Sequence, residues 1–107
     1  MKADVLRGQL ELVVMATLRE RPLHGYRIIK EIREKSAGEF DVLEGTLYPA
    51  LHRLEAAGLV RSRWSTGEGR RRRVYELTRK GRRALAAQES EWRSFVRALD
   101  LILASGS

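Results

Sequence analysis

The stretch Gly45-Thr46-Leu47-Tyr48-Pro49-Ala50-Leu51-His52-Arg53-Leu54-Glu55-Ala56-Ala57-Gly58-Leu59-Val60 decides the fold. Leu47, Leu51 and Leu54 recur at i, i+4 and i+7 with Ala50 beside them, the apolar stripe of a helix over about 45–57. Pro49 fits in the first turn, where N–H groups lack intrahelical partners. Gly58 suits the left-handed position just past a helix. Beyond it the period changes to two. Leu59, Arg61 and Arg63 alternate with Val60, Ser62 and Trp64. After Thr66-Gly67-Glu68-Gly69, a second run alternates Arg73, Tyr75 and Leu77 with Val74 and Glu76. Two alternating runs around a Gly-containing turn predict a β-hairpin.

Upstream, Ile28, Ile29 and Ile32 face inward from a helix over roughly 24–35, with Arg27, Lys30, Glu31 and Glu34 facing out. Residues 36–43 form a connection. A first helix is expected over 4–19, carrying Leu6, Leu10, Val13, Val14 and Thr17 on one face and Val5, Leu12, Met15 and Ala16 on a second. It ends before Pro22. Downstream, Thr78 is the expected N-cap of a last helix over about 79–103. There Leu85, Gln88, Trp92, Phe95, Leu99 and Ile102 are spaced alternately by three and four, a heptad seam. A helix so long and apolar outruns a core this small, so a second copy of the chain is the economical cover.

The chain has 107 residues, enough for one core, with 21 Lys and Arg against 14 Asp and Glu. Zero cysteine excludes disulfides, Cys-ligated zinc and thiol catalysis. No apolar run approaches a membrane helix, and Asp4, Arg7 and Glu11 interrupt any secretory leader. A cytoplasmic location is therefore expected. Residues 61–83 hold ten basic and two acidic residues; the rest holds eleven and twelve. A cationic excess confined to one segment is the footprint of a polyanion binder. No catalytic triad, carboxylate pair, phosphate loop or metal-ligand spacing is present, so no enzyme activity, metal or cofactor is expected.

Helix, helix, helix, hairpin and long helix, in that order, make a mostly α (α+β) winged helix-turn-helix, residues 1–77, with a dimerisation helix appended, residues 78–107. The third helix would enter the major groove of duplex DNA and present Thr46, Tyr48, Pro49, His52 and Arg53. His24 and Tyr26 are candidates for phosphate contacts, with helix capping and packing as their alternatives. Arg70, Arg71, Arg72 and Arg73 would supply affinity from the wing, alternating between its two faces. Trp64 reads as wing packing.

His24-Gly25-Tyr26, then the stretch 45–60, then Arg72-Arg73-Val74-Tyr75-Glu76-Leu77-Thr78-Arg79-Lys80-Gly81 resemble the PadR family of transcriptional regulators. The resemblance implies a homodimeric repressor on an inverted-repeat operator. With a short C-terminal part, one helix and not a separate helical domain, the chain is similar to members of which some bind flat aromatic molecules between protomers. Acidic candidates near Trp92 are then Glu11, Glu89 and Asp100. Read from the residues, Trp92 would face its symmetry mate, and two indoles can sandwich a planar ligand. Val5, Leu12, Gln88 and Val96 would complete that pocket, and Leu85, Trp92, Phe95, Leu99 and Ile102 the dimer interface. A solid dimer core without a pocket is the alternative. A regulator blind to ligands and an adaptor docking a different chain through its last helix also stay open.

Overall fold

The computed structural model describes Leu6 and residues 8–106. In chain order the elements are α1 (Leu10–Thr17), β1 (Leu23–His24), α2 (Gly25–Lys35), α3 (Glu44–Ala56), β2 (Val60–Ser65), a single 3-10 turn (Gly67–Gly69), β3 (Arg72–Leu77) and α4 (Arg79–Ser105). The sheet is antiparallel in the order β1-β3-β2. Val14, Met15 and Leu18 from the α1 region, Ile28 and Ile32 from α2, and Leu47, Leu51 and Leu54 from α3 form one apolar core. Val60, Tyr75 and Leu77 close it from the sheet, and Leu85 from α4.

The stripe of α3 and the hairpin stand as expected. At the C-terminus of α3, Leu59 N–H donates to Leu54 O and Gly58 N–H to Glu55 O, with Gly58 at φ +75°. This paired closure satisfies carbonyls that the helix leaves open, and the positive φ favours glycine. Lys80 Nζ donates to Ala57 O at 2.9 Å, adding a cation where the helix dipole is negative. Thr78 caps α4: its Oγ1 accepts from Gly81 N–H at 3.0 Å and donates to Gly58 O at 2.6 Å. A Cβ at Gly81 would overlap the Leu59 carbonyl, so glycine is what lets α4 start against the end of α3.

Four expectations are corrected. The helix expected over 4–19 is interrupted: Leu6 is helical, Gly8-Gln9 form a turn, and α1 begins at Leu10. Glycine costs a helix interior about 1 kcal/mol, and the turn uses it. Residues 4, 5 and 7 lie outside the described ones. Pro49 sits inside α3, which begins at Glu44, and not in its first turn. The carbonyl it cannot serve is that of exposed Gly45, which water reaches. Glu31 does not face out; it is 3% exposed, with Arg21, Arg27 and Lys35 around its carboxylate. Leu85 belongs to the protomer's own core at 4% exposed, so it has no face left for a partner. The sequence reading also missed β1, where Leu23 pairs with Tyr75 and His24 with Val74.

Candidate nucleic-acid interface and the α4 seam

His24 links strand to helix. Its Nδ1 accepts from Arg27 N–H at 3.2 Å, capping α2, and a guanidinium nitrogen of Arg72 lies 2.8 Å from its Nε2. The capping alternative therefore holds, and the ring is tied to the wing as well. His24, Ser65, Gly67, Arg70, Arg72 and Val74 line a shallow basic concavity of about 230 Å³. Tyr26 is exposed one residue beyond Gly25. Tyr48 is partly buried, and a Cβ at Gly25 would overlap its hydroxyl. The pairing of the two sequence segments is thus steric: Gly25 is the hole and Tyr48 the knob that set α2 against α3.

On α3, Pro49 and His52 are exposed and Thr46 is half-buried. Arg53 turns to α1, where its Nε donates to Glu11 Oε1 at 2.9 Å. Both partners are exposed, so the pair is weak and Arg53 can leave it for another anion. Beneath α2, burial pushes the Glu31 carboxyl up, but the Arg27 hydrogen bond and the charges of Arg21 and Lys35 outweigh it and hold the group below its ordinary value.

The wing divides its arginines between two faces, as strand alternation requires. Directly opposed residues share a face, so Trp64 lies beside Arg73 and Ser65 beside Arg72. Arg71 and Arg73 stack on Trp64, with guanidinium carbons 4.4 and 5.3 Å from the ring centroid. On the same face Arg73 Nε donates to Ser62 Oγ at 3.0 Å, and Ser62 Oγ donates to Glu55 Oε2 of α3 at 2.6 Å. Among the described residues, Arg61 alone of the wing's arginines has a carboxylate partner, Glu76 at 2.8 Å. The sequence reading assigned Trp64 to packing and gave no role to Ser62 or Glu55. Only the strand register, which puts Trp64 opposite Arg73, could have indicated the link.

Past Leu85, α4 has no fully buried residue. Trp92 is 41% exposed, and Phe95, Leu99, Leu101, Ile102 and Leu103 are exposed too. The Trp92 and Phe95 rings stack at 5.6 Å. Leu12, Gln88, Trp92 and Phe95 come together around one open groove, with Gly8, Gln9 and Glu91. Val96 and Asp100 lie around a second groove that shares Trp92. Val5 lies outside the described residues. Of the acidic candidates, Glu11 is engaged by Arg53 and Glu89 by Arg19 and Arg93. The Arg93 hydrogen bond and the Arg19 charge hold the Glu89 carboxyl below its ordinary value. Among the described residues no cluster of His, Asp and Glu could hold a metal ion, and no helix is long and apolar enough to cross a membrane.

Comparison with known proteins fits this geometry. Residues 14–87 match the profile of the transcriptional regulator PadR-like family. A transcriptional regulator of Mycobacterium tuberculosis is 40% identical over 79 residues, which span 74% of this chain and 71% of that one. The solved structure of a transcriptional regulator from Clostridium thermocellum superposes with a TM-score of 0.82 at 32% identity, covering 91% of this chain and 95% of the other. A PadR family transcription regulator from Clostridium difficile gives 0.79 at 34% identity, covering 87% and 96%. The chain belongs to the PadR-like family of transcriptional regulators and has a winged-helix fold.

Proposed function

We propose that the protein is a homodimeric repressor that binds an inverted-repeat operator in duplex DNA. In this reading residues up to 77 form the DNA-binding unit and α4 pairs two copies. The observation that carries it is the wing: five of its six arginines have no carboxylate partner among the described residues, and one of them, Arg73, is linked through Ser62 to Glu55 of α3. A duplex phosphate track is the partner that such an array fits. Thr46, Pro49 and His52 then meet base edges and Arg53 exchanges Glu11 for a phosphate. Tyr48 works from behind by holding α3 on Gly25. His24 and Tyr26 flank the backbone at the start of α2. Two copies joined through α4 would set their recognition helices about 34 Å apart, one helical turn of DNA.

Fluorescence anisotropy on an operator duplex and a random duplex, over a salt series, tests this. With about four phosphates neutralised per protomer, log K falls against log salt with a slope of about −7. Replacing Arg71, Arg72 and Arg73 by Ala weakens both duplexes and flattens the slope. Loss of operator binding alone, with random binding intact, would contradict the role given to the wing.

A second reading is favoured by the groove of Leu12, Gln88, Trp92 and Phe95: a planar aromatic effector bound between protomers and lowering operator affinity. Such a ligand acts only if it binds the two dimer states unequally. Titration of tryptophan emission with planar dyes checks it; no quenching in the dimer leaves a regulator without this effector.

A further inference from the structure

We infer that Trp64 is a positioning residue for DNA binding, acting through Arg71 and Arg73. This rests on the DNA-binding reading above. Trp64 is 52% exposed near the tip of the wing, one residue before the end of β2, a poor place for an indole whose only task is packing. What covers it is two guanidinium groups, at 4.4 and 5.3 Å. An indole face is the strongest aromatic partner for a cation, and a guanidinium lying flat on a ring keeps its N–H edges free for other acceptors. The indole therefore restrains two long side chains without using up the groups that would grip a phosphate. Restraint before binding lowers the ordering cost at binding.

The restraint also extends to α3. Glu55 accepts from Ser62, Ser62 accepts from Arg73, and Arg73 lies on Trp64. This chain fixes the wing's cations relative to the helix expected in the major groove. Arg72, on the opposite face and held near His24, is outside it. The wing thus has two separately anchored sets of cations, one tied to α2 and one to α3.

The experiment has two arms on the 107-residue protein. The first needs no DNA. In a Trp92→Phe background, where Trp64 is the sole indole, Arg71→Ala with Arg73→Ala should shift Trp64 emission and raise its quenching by acrylamide. No change in either would overturn the proposed restraint. The second arm measures duplex affinity in the wild-type background. Trp64→Leu should weaken binding on the order of tenfold, and Trp64→Phe should restore most of it, because the aromatic face is what matters. Trp64→Leu should add little once Arg71 and Arg73 are already Ala. Additive losses, or a Phe variant as weak as Leu, would overturn the positioning role. Wild-type protein that binds no duplex would sink the DNA-binding reading and this role with it, while the first arm reports separately on the stacking.

Discussion

The Leu51 environment and the Leu101 environment put the same side chain to opposite uses. Leu51 is sealed in the core that α1, α2, α3 and the sheet build together, whereas Leu101 on the distal half of α4 stands in the open. Leu51 belongs to the α3 stripe and Leu101 stands between the α4 seam residues Leu99 and Ile102; both lie in leucine-rich helical segments, so apolar character alone does not tell them apart. The difference is geometric. The 27 residues of α4 span about 40 Å, and the molecule is 57 Å long but only 28 and 21 Å across. Its first two turns lie on the core, its middle still meets the α1 region through the Arg19–Glu89 pair and the groove of Leu12 with Trp92 and Phe95, and its distal turns project past it. Apolar stripes therefore mark burial, and the folded unit's dimensions decide whether the burying surface belongs to the same chain.

The largest expected effect breaks the comparison from the core side. Leu51→Ala should cost about 3 kcal/mol of folding stability, whereas Leu101→Ala should cost the protomer under about 0.5 kcal/mol. Urea unfolding of both variants measures this, and equal losses would erase the distinction. Next comes the seam itself. Leu99→Asp places a charge at the middle of the exposed stripe and should weaken self-association about a hundredfold, with helix content by circular dichroism unchanged. The smallest effect tests a polar exception inside the core region. Glu31→Gln removes the charge that Arg21, Arg27 and Lys35 share; those cations are half-exposed and can rehydrate, so the loss should be about 1 kcal/mol. The folded carboxyl lies below its ordinary value of 4.5, so the folded state takes up that proton less readily than the unfolded chain. Its contribution is full above about pH 4.5 and fades as pH falls through the lowered folded value. Denaturation at pH 7 and at successively lower pH should therefore show the wild type converging on Glu31→Gln in acid.

Much of this was legible in the residues. The α3 stripe, the change of period at Gly58, the Thr78 cap and the split of the wing arginines all follow from local spacing, and local spacing is what a sequence displays. Helices at the right separation around a basic hairpin were enough for the winged-helix class. The start of α1 and the place of Pro49 are local errors of helix boundary; the other misreadings share a cause, a partner that the fold supplies and spacing does not show. Glu31 reads as surface until Arg21 and Lys35 are seen on either side of it. Leu85 fits the seam until α4's first turns are docked on the core. Two residues of β1 show no alternation of their own, and only β3 makes them a strand. Trp64, Ser62 and Glu55 carry no motif, and strand register together with the approach of α3 joins them. Tyr48 reads as a base contact by its place on the helix, and Gly25, 23 positions earlier, adds a packing role that spacing does not show.

Everything proposed for DNA depends on two copies meeting along the open part of α4. Sedimentation equilibrium of the 107-residue protein at micromolar concentration, in moderate salt, tests that most directly. The expected result is a species of about twice the 12.2 kDa chain mass, shifting toward the monomer in Leu99→Asp. A wild-type species at the single-chain mass across the whole micromolar range would contradict it.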